Sequence, residues 1–304
     1  MVRVAILILN WKQPKLTIQT VDSYLKIKSK SFKYKIFLTD NGSKDGSYKK
    51  LKSYYNNNPR VKLSRNNTNI GYVPGYNKEI KKRLNYDFIL VSNNDILVDP
   101  AFLEELITEA LQSNTDILGP KIYFAPGYEF HKEKYTPKEI GKVIWFAGGV
   151  MDWKNIIGSN IGVDEVDHGQ HDQIKTNVDF ITGCCMLVRS KVFKKIGFFD
   201  KNYFMYLEDT DFCQRALKSG FSLAYVPKAF IWHVNSGSSS SGSLLQDYFL
   251  SRNRMIFGVK YADLRAKFAL IRESIKIFLS SKSSWKKKAM VDFYFHKWEK
   301  GSWK

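Results

Sequence analysis

The residues able to do chemistry fall in five short clusters. Asp40-Asn41-Gly42-Ser43 offers a carboxylate that could accept hydrogen bonds from a ribose or base edge, beside a glycine that permits a tight turn. Asn66 to Asn77 surrounds the start of a helix with Asn69, Gly71, Gly75 and Asn77, a backbone suited to close approach of a nucleotide, with Arg65 as a phosphate or base partner. Asn93-Asn94-Asp95 supplies hard oxygen donors, and one carboxylate is enough for Mg2+ or Mn2+ when a pyrophosphate completes the coordination. Glu208, Asp209 and Asp211 put three carboxylates within four positions, one of them a candidate general base. His233 follows an apolar stretch and precedes a Ser/Gly-rich run, as a metal ligand beside a closing segment would. Each cluster also has a plainer reading: an Asx turn, a capped loop, acidic residues in a first helical turn, or a structural histidine.

What weighs against the plainer readings is the order of elements that carries these clusters. Val2 to Leu9 is continuously apolar and ends at Asn10; a helix follows Pro14; Lys35 to Thr39 is a strand ending at Asp40. Val61 to Ser64 reads as a strand, Pro74 to Leu84 as a helix, Phe88 to Ser92 as a strand ending at Asn93, and Phe102 to Gln112 as a helix. This alternation predicts an α/β fold with a mainly parallel, Rossmann-like sheet, in which ligands bind at the carboxyl ends of the strands. Asn10, Asp40-Asn41 and Asn93-Asn94-Asp95 then converge on one site. Beyond Pro120 the pattern loosens into loops as far as Gly169. It resumes with a strand over Phe180 to Arg189, a short helix over Lys191 to Ile196, and a helix from Glu208 to Ser219 closed by Gly220. Ser236 to Ser243 reads as a flexible loop.

The 304 residues carry 48 Lys+Arg against 29 Asp+Glu, a net charge of +19, with 44% hydrophobic residues. That composition excludes a disordered chain and is compatible with nucleic acid, anionic lipid or phosphorylated substrates. Three cysteines form neither a disulfide framework nor a metal pattern, so a reducing, cytoplasmic compartment is expected. The start lacks the longer apolar region of a signal peptide, and every long apolar stretch is broken by charge. Residues 260–304 hold 12 basic and 4 acidic residues, a net of +8, so residues 1–259 carry the remaining +11. Leu264, Phe268, Ile271, Ile275 and Phe278 form one helical stripe there, joined by Trp285, Phe293, Tyr294, Trp298 and Trp303. This basic extension is expected to lie on the anionic inner face of the cell membrane. Packing on residues 1–259, or homo-oligomerisation through the stripe, is the alternative.

In this order the clusters resemble the family 2 glycosyltransferases of the GT-A fold, and within them the rhamnosyltransferase-type branch of surface-polysaccharide synthesis. The resemblance spans roughly Val2 to Val259. It rests on Ile-Leu-Asn10-Trp, Asp40 to Ser43, Asn69 to Asn77, Asn93 to Asp95, Ala147-Gly148-Gly149, Thr182-Gly183-Cys-Cys-Met-Leu187, Glu208 to Asp211, His233, and Tyr248 with Arg252-Asn253. It implies that Asp40 and Asn69 hold the nucleotide of a nucleotide-sugar donor, with Asn10, Asn41, Arg65, Gly71, Asn77 and Asn94 around it. It implies Mn2+ or Mg2+ on Asp95 and His233, with Asn93 standing where the family's motif places an aspartate. Asp209 becomes the base of an inverting transfer, and Gly148, Gly149, Thr182, Gly183 and Glu208 face the glycan or lipid-linked acceptor. The implied donor is dTDP-rhamnose or a UDP-hexose.

Other classes fit less well. The first strand runs into Asn10-Trp-Lys-Gln-Pro14, without the Gly-x-Gly-x-x-Gly of a dehydrogenase or the basic glycine-rich loop of a sugar-1-phosphate nucleotidyltransferase. Specific nucleic-acid binding is not expected; a non-catalytic glycan-binding or partner-binding relative remains the rival reading.

Overall fold

Residues 1–234 and 243–303 are described by a computed structural model. The Ser-rich run expected to form a loop lies, except for Ser243, outside these residues.

The chain opens with β1 (Val2–Asn10), α1 (Pro14–Leu25), β2 (Phe32–Asp40), α2 (Ser47–Tyr55), β3 (Val61–Arg65), α3 (Tyr72–Lys81) and β4 (Phe88–Ser92). β3, β2, β1 and β4 lie side by side in parallel. β1 is buried from Val4 onward and β4 along its whole length, because helices cover both faces of the sheet. Burying each of their Val, Leu and Ile side chains gains roughly 1.5–3 kcal/mol. Register decides where the polar clusters go: Asn10 stands opposite Asp40, and Asp40 opposite Arg65, in one row at the carboxyl edge.

The sheet is mixed beyond this half. β5 (Ile96–Val98), α4 (Phe102–Gln112), β6 (Ile117–Phe124) and β7 (Ile144–Phe146) follow, then the hairpin of β8 (Gly149–Asp152) and β9 (Ile157–Asn160), and β10 (Cys185–Arg189). β10 runs antiparallel between β4 and β6. After α5 (Ser190–Ile196) and α6 (Glu208–Lys218), β11 (Leu223–His233) lies parallel to β6 and antiparallel to β5. The β6–β11 register slips between Val226 and Phe230, around Pro227, which cannot donate to a ladder.

Two expectations change. The strand expected over Phe180 to Arg189 begins only at Cys185, because Thr182 to Cys184 turn their backbone toward the polar clusters. The stretch after Pro120 is more ordered than loops, since β6 continues to Phe124 and β7 to β9 follow.

The C-terminal part is α7 (Leu244–Tyr261), α8 (Leu264–Ser280) and α9 (Ser284–Tyr294). Serine or aspartate caps each: Ser243, Asp263 and Ser283 accept from the backbone three residues on. α7 straddles positions 259 and 260, where the sequence changes character. No helix among the described residues is long and apolar enough to cross a membrane. The expected aromatic extension divides: Trp285 and Trp303 pack on Tyr248 of α7, with ring centroids 5.7 and 5.9 Å away, whereas the stripe on α8 is exposed.

Candidate active site

At the carboxyl edge, strand register turns separate polar residues into one hydrogen-bonded ladder. Asn10 Nδ2 donates to Asp40 Oδ2 at 2.8 Å, and Asn10 Oδ1 accepts from Thr17 Oγ1 at 2.8 Å. Thr17 Oγ1 in turn accepts from Asn94 Nδ2 at 2.9 Å. Asp40 Oδ1 accepts from Ser43 N at 3.0 Å and lies 3.6 Å from Arg65 Nε. Arg65 also donates to the Ser43 carbonyl at 2.8 Å while its side chain stays half exposed. Asn10 and Asp40 are fully buried, so they stiffen the floor and Arg65 presents charge above it.

The Asn66 to Asn77 cluster is organised by Asn41. Its amide nitrogen donates to Asn69 Oδ1 and the Gly71 carbonyl, both at 3.0 Å, and its oxygen accepts from Asn66 Nδ2 at 2.9 Å. Gly42 has φ +77°, and a Cβ there would stand 2.1 Å from the Thr68 carbonyl carbon, so this close approach needs glycine. Asn77 has a structural partner. Its amide pairs with the Phe199 backbone in both directions, at 2.8 and 3.1 Å, and so ties α3 to the loop before α6.

Asp95 and His233, remote in sequence, meet because β5 pairs with the end of β11, His233 opposite Ile96. His233 Nε2 lies 3.3 Å from Asp95 Oδ1. Neither Asp95 Oδ1 nor His233 Nδ1 has a hydrogen bond, and the imidazole is held edge-on by Trp145 at 4.8 Å. Two adjacent ligands about 2.1 Å from one octahedral ion stand about 3 Å apart, so the pair fits a shared divalent cation. No group of three or more His, Cys, Asp or Glu able to hold a metal occurs among the described residues. A cation here would need oxygens from elsewhere, as a Mg2+ or Mn2+ bridging a pyrophosphate does.

Asp209 sits in the first turn of α6. Its Oδ2 accepts from Gly183 N at 2.8 Å and its Oδ1 from Thr210 N at 2.7 Å. Burial nevertheless raises its pKa from the ordinary aspartate value, against the pull of those hydrogen bonds. Glu208 is more deeply buried; burial first, then the neighbouring Asp209 charge, pushes its pKa well up, and its Oε2 has no hydrogen-bond partner. Asp211 points the other way: it takes Arg215 at 2.8 Å and Tyr261 at 2.9 Å, as a structural carboxylate.

Sequence reasoning passed over Tyr72. Its hydroxyl donates to Asn93 Oδ1 and to the Gly183 carbonyl, both at 3.2 Å. Asn93 N also donates to the Cys184 carbonyl at 2.9 Å, so the Asn93 to Asp95 turn and the Asp209 carboxylate share the 182–184 loop. Thr182 Oγ1 accepts from Cys184 N in that loop at 3.3 Å. Gly148 and Gly149 lie against Val178 and Phe180, where a Cβ on Gly149 would lie 2.5 Å from the Phe180 ring. Their lack of side chains permits this close packing.

The loop before Asp209 is strained, with Phe204, Tyr206 and Leu207 at φ +64° to +65°. Such residues cost on the order of 1–3 kcal/mol each and persist only where surroundings hold them. α7 supplies the hold. Asn253 Nδ2 donates to the carbonyls of Tyr203, Met205 and Tyr206 at 2.9, 2.7 and 2.9 Å. Fully buried Arg252 adds bonds to Asn202 and Tyr203, each at 3.2 Å.

The family model for glycosyl transferase family 2 matches residues 5–197. An N-acetylglucosaminyl-diphospho-decaprenol L-rhamnosyltransferase of Mycobacterium tuberculosis is 27% identical over 215 residues, 67% of this chain and 67% of that protein. Among solved structures, GalNAc-T7 with UDP, GalNAc and Mn2+ superposes with a TM-score of 0.64 at 16% identity. That alignment covers 97% of this chain and 57% of GalNAc-T7. The mannosyltransferase PcManGT of Pyrobaculum calidifontis, in complex with GDP-Man and Mn2+, gives 0.56 at 10% identity, covering 97% of this chain and 74% of that one. Both structural likenesses are of fold, and both neighbours are GT-A transferases.

Proposed function

This chain belongs to glycosyl transferase family 2 and is a glycosyltransferase, and from that premise we propose an inverting, metal-dependent transfer from a nucleoside-diphosphate sugar to a hydroxyl of a glycan or lipid-linked acceptor. dTDP-rhamnose is the first donor to test, given the likeness to the mycobacterial rhamnosyltransferase, and UDP-hexoses are the second. The observation that carries the reading is the single loop, 182–184, that joins Asp209 to the Asn93 to Asp95 turn.

In the proposed reaction Arg65, above the buried Asn10–Asp40–Thr17–Asn94 ladder, meets the nucleotide, with Asn69 and Gly71 held close by Asn41. Asp95 and His233 would hold a Mn2+ or Mg2+, which supplies charge to stabilise the departing pyrophosphate. The acceptor oxygen forms a bond to the anomeric carbon as the bond from that carbon to the phosphate oxygen breaks, its electron pair leaving on the pyrophosphate. Asp209 takes the acceptor's hydroxyl proton. A carboxylate with a raised pKa is the better proton acceptor, and Gly183 N fixes the face it presents. Thr182, Gly183 and Glu208, whose burial favours its protonated form, would line the acceptor side. The basic C-terminal helices would keep the enzyme on an anionic membrane, where lipid-linked acceptors lie. A thermal-shift panel of nucleotide sugars, with and without Mn2+, tests the donor assignment: one donor should stabilise the protein far more in the presence of metal. Equal, small shifts for every nucleotide sugar would contradict it.

A further inference from the structure

α8 buries one side and leaves the other bare. Ala266, Leu270 and Ser274 face inward, and Leu270 packs so closely on α7 that a Cβ on Gly258 would lie 2.1 Å from its Cδ1. On the opposite side Leu264 is 74%, Phe268 69% and Leu279 72% exposed, with Ile271, Ile275 and Phe278 also exposed between them. At 3.6 residues per turn these six side chains fall within about a third of the helix circumference. Arg265, Arg272 and Lys276 flank the stripe along one margin and Lys267 along the other. The helix's one acid, Glu273, is taken by Arg254 at 2.7 and 3.0 Å, so it does not offset these cations.

We infer that this outer face of α8 is the surface by which the protein lies on an anionic lipid bilayer, its apolar stripe in the acyl boundary and its arginines and lysines at the headgroups. This deepens the membrane placement proposed above and is independent of the donor, metal and base assignments. Seventeen residues carrying four cations cannot span a bilayer but suit the interface. The charge arrangement argues against a second copy on this face, since two-fold pairing would bring the cationic margins of both stripes together. Trp285 and Trp303 are excluded from the contact because they pack on Tyr248.

The test is flotation of the full-length protein with phosphatidylcholine vesicles, with and without phosphatidylglycerol. Binding should require the anionic lipid and weaken as salt rises. Phe268→Glu with Ile275→Glu should lower partitioning at least tenfold, and Arg272→Gln or Lys276→Gln about fivefold each. These positions are exposed, so melting curves of the variants should match the parent, and transfer to a water-soluble acceptor should be unchanged. The inference is overturned by variants that float as the parent does, by equal binding to neutral vesicles, or by a dimer in sedimentation that the double variant dissociates. An inactive enzyme that still floats would contradict the catalytic reading and leave this one standing.

Discussion

Gly183 N donates to Asp209 Oδ2 at 2.8 Å, while the next residue, Cys184, accepts from Asn93 N through its carbonyl at 2.9 Å. One short loop thereby fixes the distance between a carboxylate at a helix start and the polar end of a strand. Moving that loop should disturb the proposed base and the proposed metal-holding turn together.

The first concerns pH. Burial raises the Asp209 pKa, so its ionised form is depleted as pH falls from neutrality toward the ordinary carboxylate range. Under kcat conditions transfer should fall on the acid side with an apparent pKa above that of a free aspartate. A flat kcat profile down to about pH 4 would show that another group takes the proton.

Glu208 bears on stability. Its pKa in the fold is raised by burial and by Asp209, so the folded state binds its proton more tightly than the unfolded chain does. Its contribution therefore weakens as pH rises from the unfolded carboxyl pKa through the raised value. Glu208→Gln should stabilise the protein at pH 8 by on the order of 1 kcal/mol or more, an advantage that shrinks toward pH 4. Chemical denaturation at the two pH values reads the difference.

For the cation, Asp95→Ala and His233→Ala should each lower kcat about a hundredfold to a thousandfold, and chelation of the parent should do at least as much. Titration of Mn2+ into the variants checks the assignment, because the concentration for half-maximal activity should rise. His233 is buried and Asp95 nearly so, so melting curves of both variants are recorded beside the kinetics to separate loss of the cation from loss of the fold.

Asn253 should matter to both fold and rate. Asn253→Ala removes the donor from three carbonyls of a strained loop, a loss of about 1–3 kcal/mol or more. Because that loop enters Asp209, kcat should fall while the donor's KM stays near the parent value. Asn253→Asp, which keeps the shape but cannot donate, should be as poor.

Much of this was legible in the sequence because strand ends are marked by abrupt changes from apolar to polar. Asn10, Asp40 and Asn93 each end such a run, and parallel register alone aligns the first two. The Asp95–His233 meeting was available only through family resemblance, since it depends on β5 pairing with the end of β11 across a sheet whose order no periodicity reveals. Tyr72 escaped notice because a tyrosine opening a helix looks like core, and only its hydroxyl's two partners give it a place in the site. Asn77 and Gly149 have packing roles that spacing does not reveal. Their types suit ligand contact, but one is consumed by the Phe199 backbone and the other by the Phe180 ring. The exposed stripe on α8 followed from spacing, whereas the packing of Trp285 and Trp303 on Tyr248 depended on how the chain from α9 onward folds back onto α7.

The central claim is that Asp209 deprotonates an acceptor hydroxyl during sugar transfer. The direct measurement compares the parent and Asp209→Asn for transfer from dTDP-rhamnose and UDP-hexoses in Mn2+, with donor binding followed separately by thermal shift. The prediction is a loss of about a hundredfold to ten-thousandfold in kcat with donor-induced stabilisation preserved. An Asp209→Asn protein that transfers sugar at the parent rate would contradict it.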